Sequence, residues 1–360
     1  MLSSTFGRQG LLSSVCFALV LVSAGDVLAQ DPRPGVAGET TQSATGGAEQ
    51  KKPPPELRGQ SQGAPLFRKD VDQVVLYAAV YDENGELVTG LQQKDFTVFE
   101  DKVKEGITYF GRYDVPSTSG IVMDTSGSMR NKIDLVGKAA KLFVSRNHPE
   151  NELFLITFDH KVTLEEDCTR DSEDIHDALD NITVSGGTAL YDAVYLAIDK
   201  AQNGSEPKKV IVIFTDGEDR DSYYTHEELL EKIRQSDVQV FMIAILDPDL
   251  SDEGGFFGVF KSKRHKVKKK IEEIAENTGG KVYFPEKIQE LEDVFQQIAL
   301  ELRNQYLLAY ITHNPLKNGS WRTITVEVRD AKQKKLSVRA KKGYFPAGPE
   351  SPAEDDATQN

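Results

Sequence analysis

Apolar and polar residues follow two different patterns along this chain. In the outer stretches, 74–113 and 304–346, short runs are either apolar throughout or alternate with period two, as over 96–99, 321–328 and 336–340. Period-two alternation is typical of half-buried β-strands. Each outer stretch holds too few strands to bury a sheet face alone. We therefore expect the two stretches to combine into one small β-sandwich.

The segment between these stretches alternates apolar strands with amphipathic helices. Continuous apolar strands separated by helices are typical of a parallel sheet that is covered on both faces. The predicted fold class is thus α/β, with a doubly wound and mostly parallel sheet inserted in the β-sandwich. Strands are expected over 121–124, 153–158, 210–215, 238–246 and 281–284, and helices over 133–146, 172–180, 190–201, 226–235, 266–277 and 288–302.

Composition adds segments at both ends that we do not expect to pack. Residues 30–63 are rich in proline, glycine and small polar residues, so they cannot bury enough apolar surface to order themselves. The predicted domain boundaries follow in chain order: signal peptide 1–29, disordered linker 30–63, first half of the sandwich 64–115, α/β domain 116–303, second half of the sandwich 304–346 and disordered tail 347–360.

The first segment has the pattern of a secretory signal peptide. Arg8 precedes an apolar stretch over 11–24, and Val27-Leu28-Ala29 offers small side chains for cleavage before Gln30. A membrane anchor is the competing interpretation, but the apolar run is short and interrupted by serines. We expect an exported protein, periplasmic or secreted, with no membrane span in the mature chain. Cys168 would then be its only cysteine.

The net charge of the chain limits the kinds of partner that it is expected to bind. The formal net charge is −14 and the sequence pI is about 5.0, which argues against nucleic-acid binding. The basic run over 261–270 keeps helical spacing of apolar residues, so a solvated helix face is expected there. The aromatic residues of 251–260 could anchor a partner or pack as a local cluster.

Hydroxyl and carboxylate side chains that could bind a ligand occur in three segments, each after an apolar run or on a glycine loop. Asp124-Thr125-Ser126-Gly127-Ser128 follows the apolar run 120–123, and Thr215-Asp216-Gly217 follows the run 210–214. Gly186-Gly187-Thr188 adds a hydroxyl on a loop. Ligands of parallel sheets bind at the carboxyl ends of strands, and hard cations prefer oxygen ligands. Helix capping by the two serines is the simpler alternative, but it explains neither Thr188 nor Asp216.

Together these segments resemble the metal-ion-dependent adhesion site of von Willebrand factor A domains, whose pattern is D-x-S-x-S, then Thr, then Asp. The wider phrases 186–193 and 215–219 resemble the acidobacterial type of that family. The resemblance implies a divalent cation, Mg²⁺ most of all, with Mn²⁺ or Ca²⁺ as alternatives. It also implies a protein partner that presents Asp or Glu to the ion. The implied metal ligands are Asp124, Ser126, Ser128, Thr188 and Asp216.

In that family pattern the hydroxyls bind the ion directly, whereas the two carboxylates act directly or through water. Neutral ligands leave the cation under-compensated, so it attracts an acidic side chain. Asp192 lies one helical turn after Thr188 and either supports the site or is an ordinary surface acid.

Catalysis is not expected. The six histidines are scattered and none lies in the three motif segments, although serine nucleophiles need a positioned base. No phosphate-binding glycine loop is present in the sequence. The sequence therefore predicts an exported, metal-dependent protein-binding module for adhesion or scaffolding. The alternative is a structural or assembly component of the cell envelope in which the metal only stabilises the fold. The oligomeric state is left open.

Overall fold

The computed structural model describes residues 73–245, 258–314, 319–329 and 335–346, which all belong to one compact unit of the chain. Side chains are described for these residues except 258–264 and 288. The predicted signal peptide, linker and tail lie outside the described residues, and so do most of the aromatic residues of 251–260. The domain boundaries assigned from sequence stay predictions.

Fourteen strands and six α-helices are found in the described part of the chain. The strands are β1 Gln73–Tyr81, β2 Phe96–Glu100, β3 Val103–Glu105, β4 Ile107–Gly111, β5 Ser117–Asp124, β6 Glu152–Phe158, β7 Val162–Thr169, β8 Lys208–Thr215, β9 Val238–Ala244, β10 Val282–Tyr283, β11 Tyr306–Ile311, β12 Arg322–Val328, β13 Ser337–Arg339 and β14 Gly343–Tyr344. The helices are α1 Ile133–Arg146, α2 Ser172–Asp180, α3 Leu190–Gln202, α4 His226–Arg234, α5 Gly258–Asn277 and α6 Leu291–Asn304.

The central sheet has the order β10-β9-β8-β5-β6-β7. All neighbouring pairs are parallel except β6 and β7, which run antiparallel. Every residue of β5 and of β9 is buried, as expected for apolar strands covered on both faces. One core joins the sheet to α1, α2 and α6, and a second core joins its other face to α3, α4 and α5. The predicted α/β class is confirmed.

The outer stretches form two antiparallel sheets, β13-β1-β11-β4 and β14-β12-β2-β3. Each sheet mixes strands from before and after the α/β segment, since β1 pairs with β11 and β2 pairs with β12. The sheets share a core that includes Phe96, Val98, Tyr306 and Tyr310. The expected sandwich of flanking strands is therefore present.

Trp321 does not join that shared core. If the outer stretches form one β-sandwich, the sequence predicts that Trp321 and Phe110 share its core, but only Phe110 packs against that cluster. The Trp321 ring instead meets Phe345 with ring centroids 5.2 Å apart, and the Arg234 guanidinium also lies over the Trp321 ring. The expectation was wrong because Trp321 precedes β12 and falls at its end rather than on its inward face.

The basic segment behaves as expected within the described side chains. Ile271 and Ile274 of α5 are buried against the central sheet, while Lys268, Lys269 and Lys270 are exposed. None of the described helices is both long enough and apolar enough to cross a membrane.

Candidate metal centre

Asp124 is the last residue of β5, and its side chain is fully buried. Its Oδ1 accepts a hydrogen bond from the backbone N–H of Ser126 at 2.9 Å. Its Oδ2 accepts one from the Thr215 hydroxyl at 2.8 Å. A carboxylate has about four acceptor positions, so the bonds from Ser126 and Thr215 do not fill all of them. The carboxylate is thereby oriented at the carboxyl edge of the sheet.

The chain leaves β5 through a short turn that presents both serines. Ser126 is buried and Ser128 is exposed, and their Oγ atoms lie 3.0 Å apart. A 3₁₀ turn over Gly127–Met129 follows, and Ser126 makes no side-chain capping bond there. Simple helix capping therefore does not account for the Ser126 hydroxyl.

The glycine loop before α3 is hydrogen-bonded directly to this turn. The Gly127 N–H donates to the Gly186 carbonyl at 3.2 Å, and the Ser185 N–H donates to the Thr125 carbonyl at 2.9 Å. Gly186 has a φ of +53°, a conformation that favours glycine. Residue Thr188, which follows this loop, is buried beside the turn.

The loop after β8 is hydrogen-bonded to Thr188. Asp221 Oδ2 accepts from the Thr188 N–H at 2.7 Å, and the Arg220 and Asp221 N–H groups donate to the Thr188 carbonyl. A Cβ on Gly187 would lie 1.8 Å from Asp221 Oδ2, so only glycine permits this approach. Thr188 thus has its backbone fixed on both sides.

Burial and a neighbouring acid both disfavour the ionised form of Asp124. Burial, together with the nearby charge of Asp216, raises the pKa of Asp124 to about 6, against the opposing hydrogen bonds of Ser126 and Thr215. Asp216 itself is partly exposed. Carboxylate and hydroxyl oxygens together form a donor set that suits a hard divalent cation.

All five predicted ligands thus lie on three loops that are hydrogen-bonded to one another. Their role as metal ligands stays a prediction. No group of three or more His, Cys, Asp or Glu suited to a metal occurs among the described residues, and this set is mostly hydroxyls. The residues present fit a cation that binds through hydroxyl and carboxylate oxygens.

Several contributors were missed by sequence reasoning. Thr215 and Asp221 orient Asp124 and Thr188, but their partners are 91 and 33 residues away. His160, in the loop after β6, lies against Gly186, where an added Cβ would come within 2.6 Å of its Nδ1. For Asp192 the sequence left open a supporting role or an ordinary surface acid. Its carboxylate accepts from the N–H groups of Tyr223 and Tyr224, so it supports the loop that follows Asp221.

Residues 120–297 match the family model of the von Willebrand factor type A domain. This segment is a von Willebrand factor type A (VWA) domain. It contains all five candidate ligands and all of the described helices except the last turns of α6.

The chain is similar in part to one curated protein and to several solved structures. An uncharacterized protein from Synechocystis sp. is 32% identical over 108 residues, which cover 29% of this chain and 26% of that protein. The chain thus spans about a quarter of that relative. A von Willebrand factor type A structure from Catenulispora acidiphila is 11% identical with a TM-score of 0.44, covering 77% of this chain and 75% of that one.

Proximal thread matrix protein 1 from the mussel byssus, with a zinc-occupied MIDAS motif, is 19% identical with a TM-score of 0.44. That alignment covers 57% of this chain and 50% of the mussel chain.

Proposed function

We propose that this protein is an exported, metal-dependent protein-binding module. Its VWA domain would hold a divalent cation, Mg²⁺ in the first place, at a metal-ion-dependent adhesion site. A partner protein would place an Asp or Glu carboxylate on that cation. We propose no catalytic role.

The observation that carries the proposal is the state of Asp124. A fully buried carboxylate is oriented by two hydrogen bonds, lies near a second carboxylate and has no cationic side chain among the groups that shift its pKa. Buried charges in proteins are normally paired or bound to metals. This arrangement favours binding of a cation that would compensate the negative charge of Asp124.

The candidate ligands would contribute two kinds of oxygen to the site. Hydroxyls of Ser126, Ser128 and Thr188 offer neutral oxygens, while Asp124 and Asp216 contribute negative charge directly or through water. A bound divalent cation supplies a net positive field at this edge of the sheet and so attracts an anionic group. Loop 216–221 fixes Thr188, so the site is organised before any ligand arrives.

The alternative is a structural or assembly component of the cell envelope, with a cation that only stabilises the loops. The pair of antiparallel sheets built from both outer stretches is the feature that favours it, since such a body could serve as a rigid connector. The two functions differ in whether partner capture needs the cation.

Capture from an envelope extract separates these functions. We expect calorimetry to show Mg²⁺ or Mn²⁺ binding, and a pull-down to recover a partner that is lost in chelator and returns with metal. Asp124→Ala should lose both properties, whereas the exposed control Asp177→Ala should keep both. Undiminished capture by folded Asp124→Ala would favour the structural alternative.

A further inference from the structure

The first half of α5 concentrates positive charge. Residues 261–270 hold seven of the chain's 43 Lys and Arg residues and none of its 57 acids, although the formal net charge of the chain is −14. Among the described side chains of this segment, four lysines are exposed: Lys266, Lys268, Lys269 and Lys270. We call these four side chains the basic surface of α5.

Acidic side chains compensate little of this basic surface. Lys266 and Lys269 make no ion pair or hydrogen bond with the described residues. Lys268 Nζ lies 3.9 Å from the carboxylate of Glu272, and an exposed pair at such a distance contributes little energy. Most of the positive charge of the basic surface is therefore directed at solvent.

The position of these charges along α5 opposes helix formation. Lys261 lies in the first turn of the helix, where the helix dipole disfavours a cation. Lys266 and Lys270 are four residues apart, a spacing at which like charges repel each other. The acids of the helix, at 272, 273 and 276, all lie in its second half. Helix stability would favour the reverse arrangement, so it does not account for the basic segment.

A flat anionic surface fits this distribution of charge. Six of the seven basic residues in 261–270 are lysine, whose compact ammonium group suits a diffuse field of charge, whereas bidentate recognition of single phosphates favours arginine. A planar bilayer touches one side of the molecule, and charges more than about 8 Å away are largely screened at physiological ionic strength. The acids on the other sides would therefore oppose binding to a bilayer only weakly. Helices that carry clusters of lysine are typical of proteins that bind anionic lipids.

We propose that the basic surface of α5 binds peripherally to a bilayer that contains anionic phospholipid. The lysines would contact phosphate headgroups and would remain at the level of the headgroups, since none of the described helices could cross the membrane. This interaction needs no metal ion and goes beyond the proposed function.

The basic surface lies beside the loops of the candidate metal centre. Lys270 Nζ donates to the Tyr191 hydroxyl at 3.3 Å and lies 5.6 Å from the centroid of that ring. Tyr191 follows Thr188 by three residues, and its N–H donates to Asp219. A bilayer that contacts this surface would therefore hold the candidate metal centre close to the membrane.

Co-sedimentation of the full-length protein with vesicles tests the proposal. The vesicles are pure phosphatidylcholine or an equimolar mixture with phosphatidylglycerol, and chelator prevents divalent cations from bridging lipid and protein. The chain retains the apolar segment 11–24, so the neutral vesicles give the baseline for each variant. At low salt we expect at least about thirtyfold tighter binding to the anionic vesicles, and a preference that falls steeply as salt is added.

Variants locate the interaction. A lysine near an anionic bilayer contributes about fivefold in affinity, the equivalent of about 1 kcal/mol. Lys266→Gln combined with Lys269→Gln should therefore reduce the preference for anionic vesicles about 25-fold. The control combines Lys138→Gln with Arg146→Gln, two exposed residues of α1 on the opposite face of the central sheet. It makes the same change in net charge and should keep the wild-type preference, with circular dichroism confirming that each variant is folded.

Each contrary outcome overturns the proposal. Equal binding to neutral and anionic vesicles would show that the bilayer's charge is not recognised. A preference that persists in the folded α5 variant, or that falls equally in the α1 control, would show that the basic surface is not the contact. Binding of soluble heparin that requires Lys266 and Lys269, without any preference between vesicles, would replace the membrane with a soluble polyanion. Failure of metal-dependent partner capture would leave vesicle binding unaffected, because the vesicle assay contains no free metal.

Discussion

Two buried carboxylates, Glu100 in the β-sandwich and Asp124 at the edge of the central sheet, are compensated very differently. Glu100 is 1% exposed and accepts from the hydroxyls of Tyr310, Thr312 and Tyr344 and from the Arg322 guanidinium. Burial opposes its ionisation, but these hydrogen bonds and the charge of Arg322 outweigh that effect and hold its pKa below the usual range.

Asp124 is equally buried and has the opposite balance. Desolvation dominates, none of the described side chains that shift its pKa is cationic, and Asp216 adds a like charge, so its pKa rises to about 6. Arg322 compensates the negative charge of Glu100. Among the described side chains that shift the pKa of Asp124, none is cationic. The contrast supports the proposal that Asp124 belongs to a binding site, whereas Glu100 belongs to a structural polar network.

The largest expected effect comes from removing half of the sandwich. Glu100 lies on β2, whereas Tyr310, Arg322 and Tyr344 lie on β11, β12 and β14, so the network joins the two outer stretches. Deleting 305–346 should abolish amide-exchange protection over 74–113, because β1 loses both neighbours, β11 and β13. Protection that survives the deletion would show that the first stretch folds alone.

The second expected effect is on the Glu100 network. Glu100→Gln leaves the buried Arg322 without its carboxylate, and breaking a buried ion pair costs about 3–5 kcal/mol. Urea denaturation should show a loss of this size. Tyr344→Phe is the milder control, since it removes one hydroxyl and should cost about 1 kcal/mol. A loss under about 1 kcal/mol for Glu100→Gln would mean that the ion pair between Glu100 and Arg322 does not stabilise the fold.

Much of the architecture is readable from sequence, and the reasons for the failures are physical. The bounds of α1 and α2 agree with the prediction because both helices show clear amphipathic spacing. Edge strand β7 was missed because Leu164 is exposed and charged residues interrupt its pattern. Strand β14 has only two residues, too short for any periodicity.

The candidate ligands were likewise visible because each one follows an apolar strand or a glycine loop. Their supports were not. Hydrogen bonds such as that from Thr215 to Asp124 depend on which strands become neighbours, and the order β8-β5-β6 is a property of the folded sheet.

The third expected effect has the opposite sign to the Glu100 substitution. Asp124 has a folded pKa of about 6, above its ordinary value of 3.8, so its ionised form opposes folding above pH 6. Metal-free protein should gain stability from this group as the pH falls from about 6 to 4, by on the order of 3 kcal/mol. Asp124→Asn should remove that pH dependence and should not be destabilised at pH 7.5 in chelator.

Denaturation curves of the metal-free protein between pH 4.5 and 7.5 measure this directly. Asp177→Asn, an exposed acid on α2, is the control and should follow the wild type. Stability that is lost on acidification through this same range, with Asp124 as its source, would contradict the account.

The smallest expected effect concerns one hydroxyl. Ser126→Ala removes one candidate ligand without changing the charge, so metal affinity should fall about tenfold while the fold stays intact, as for the loss of one hydrogen-bond-scale interaction. Ser145→Ala on α1, whose hydroxyl bonds only to the Lys141 carbonyl among its described partners, is the control and should bind metal as the wild type does. Equal affinity in Ser126→Ala would remove Ser126 from the ligand set.

The most direct test of the central claim is calorimetric titration of metal-stripped protein with Mg²⁺ and Mn²⁺, in parallel with Asp124→Ala. We predict one site per chain in the wild type and none in folded Asp124→Ala, because the proposed cation would compensate this buried carboxylate. A wild type that binds neither ion, or an Asp124→Ala variant that binds as tightly as the wild type, would contradict it.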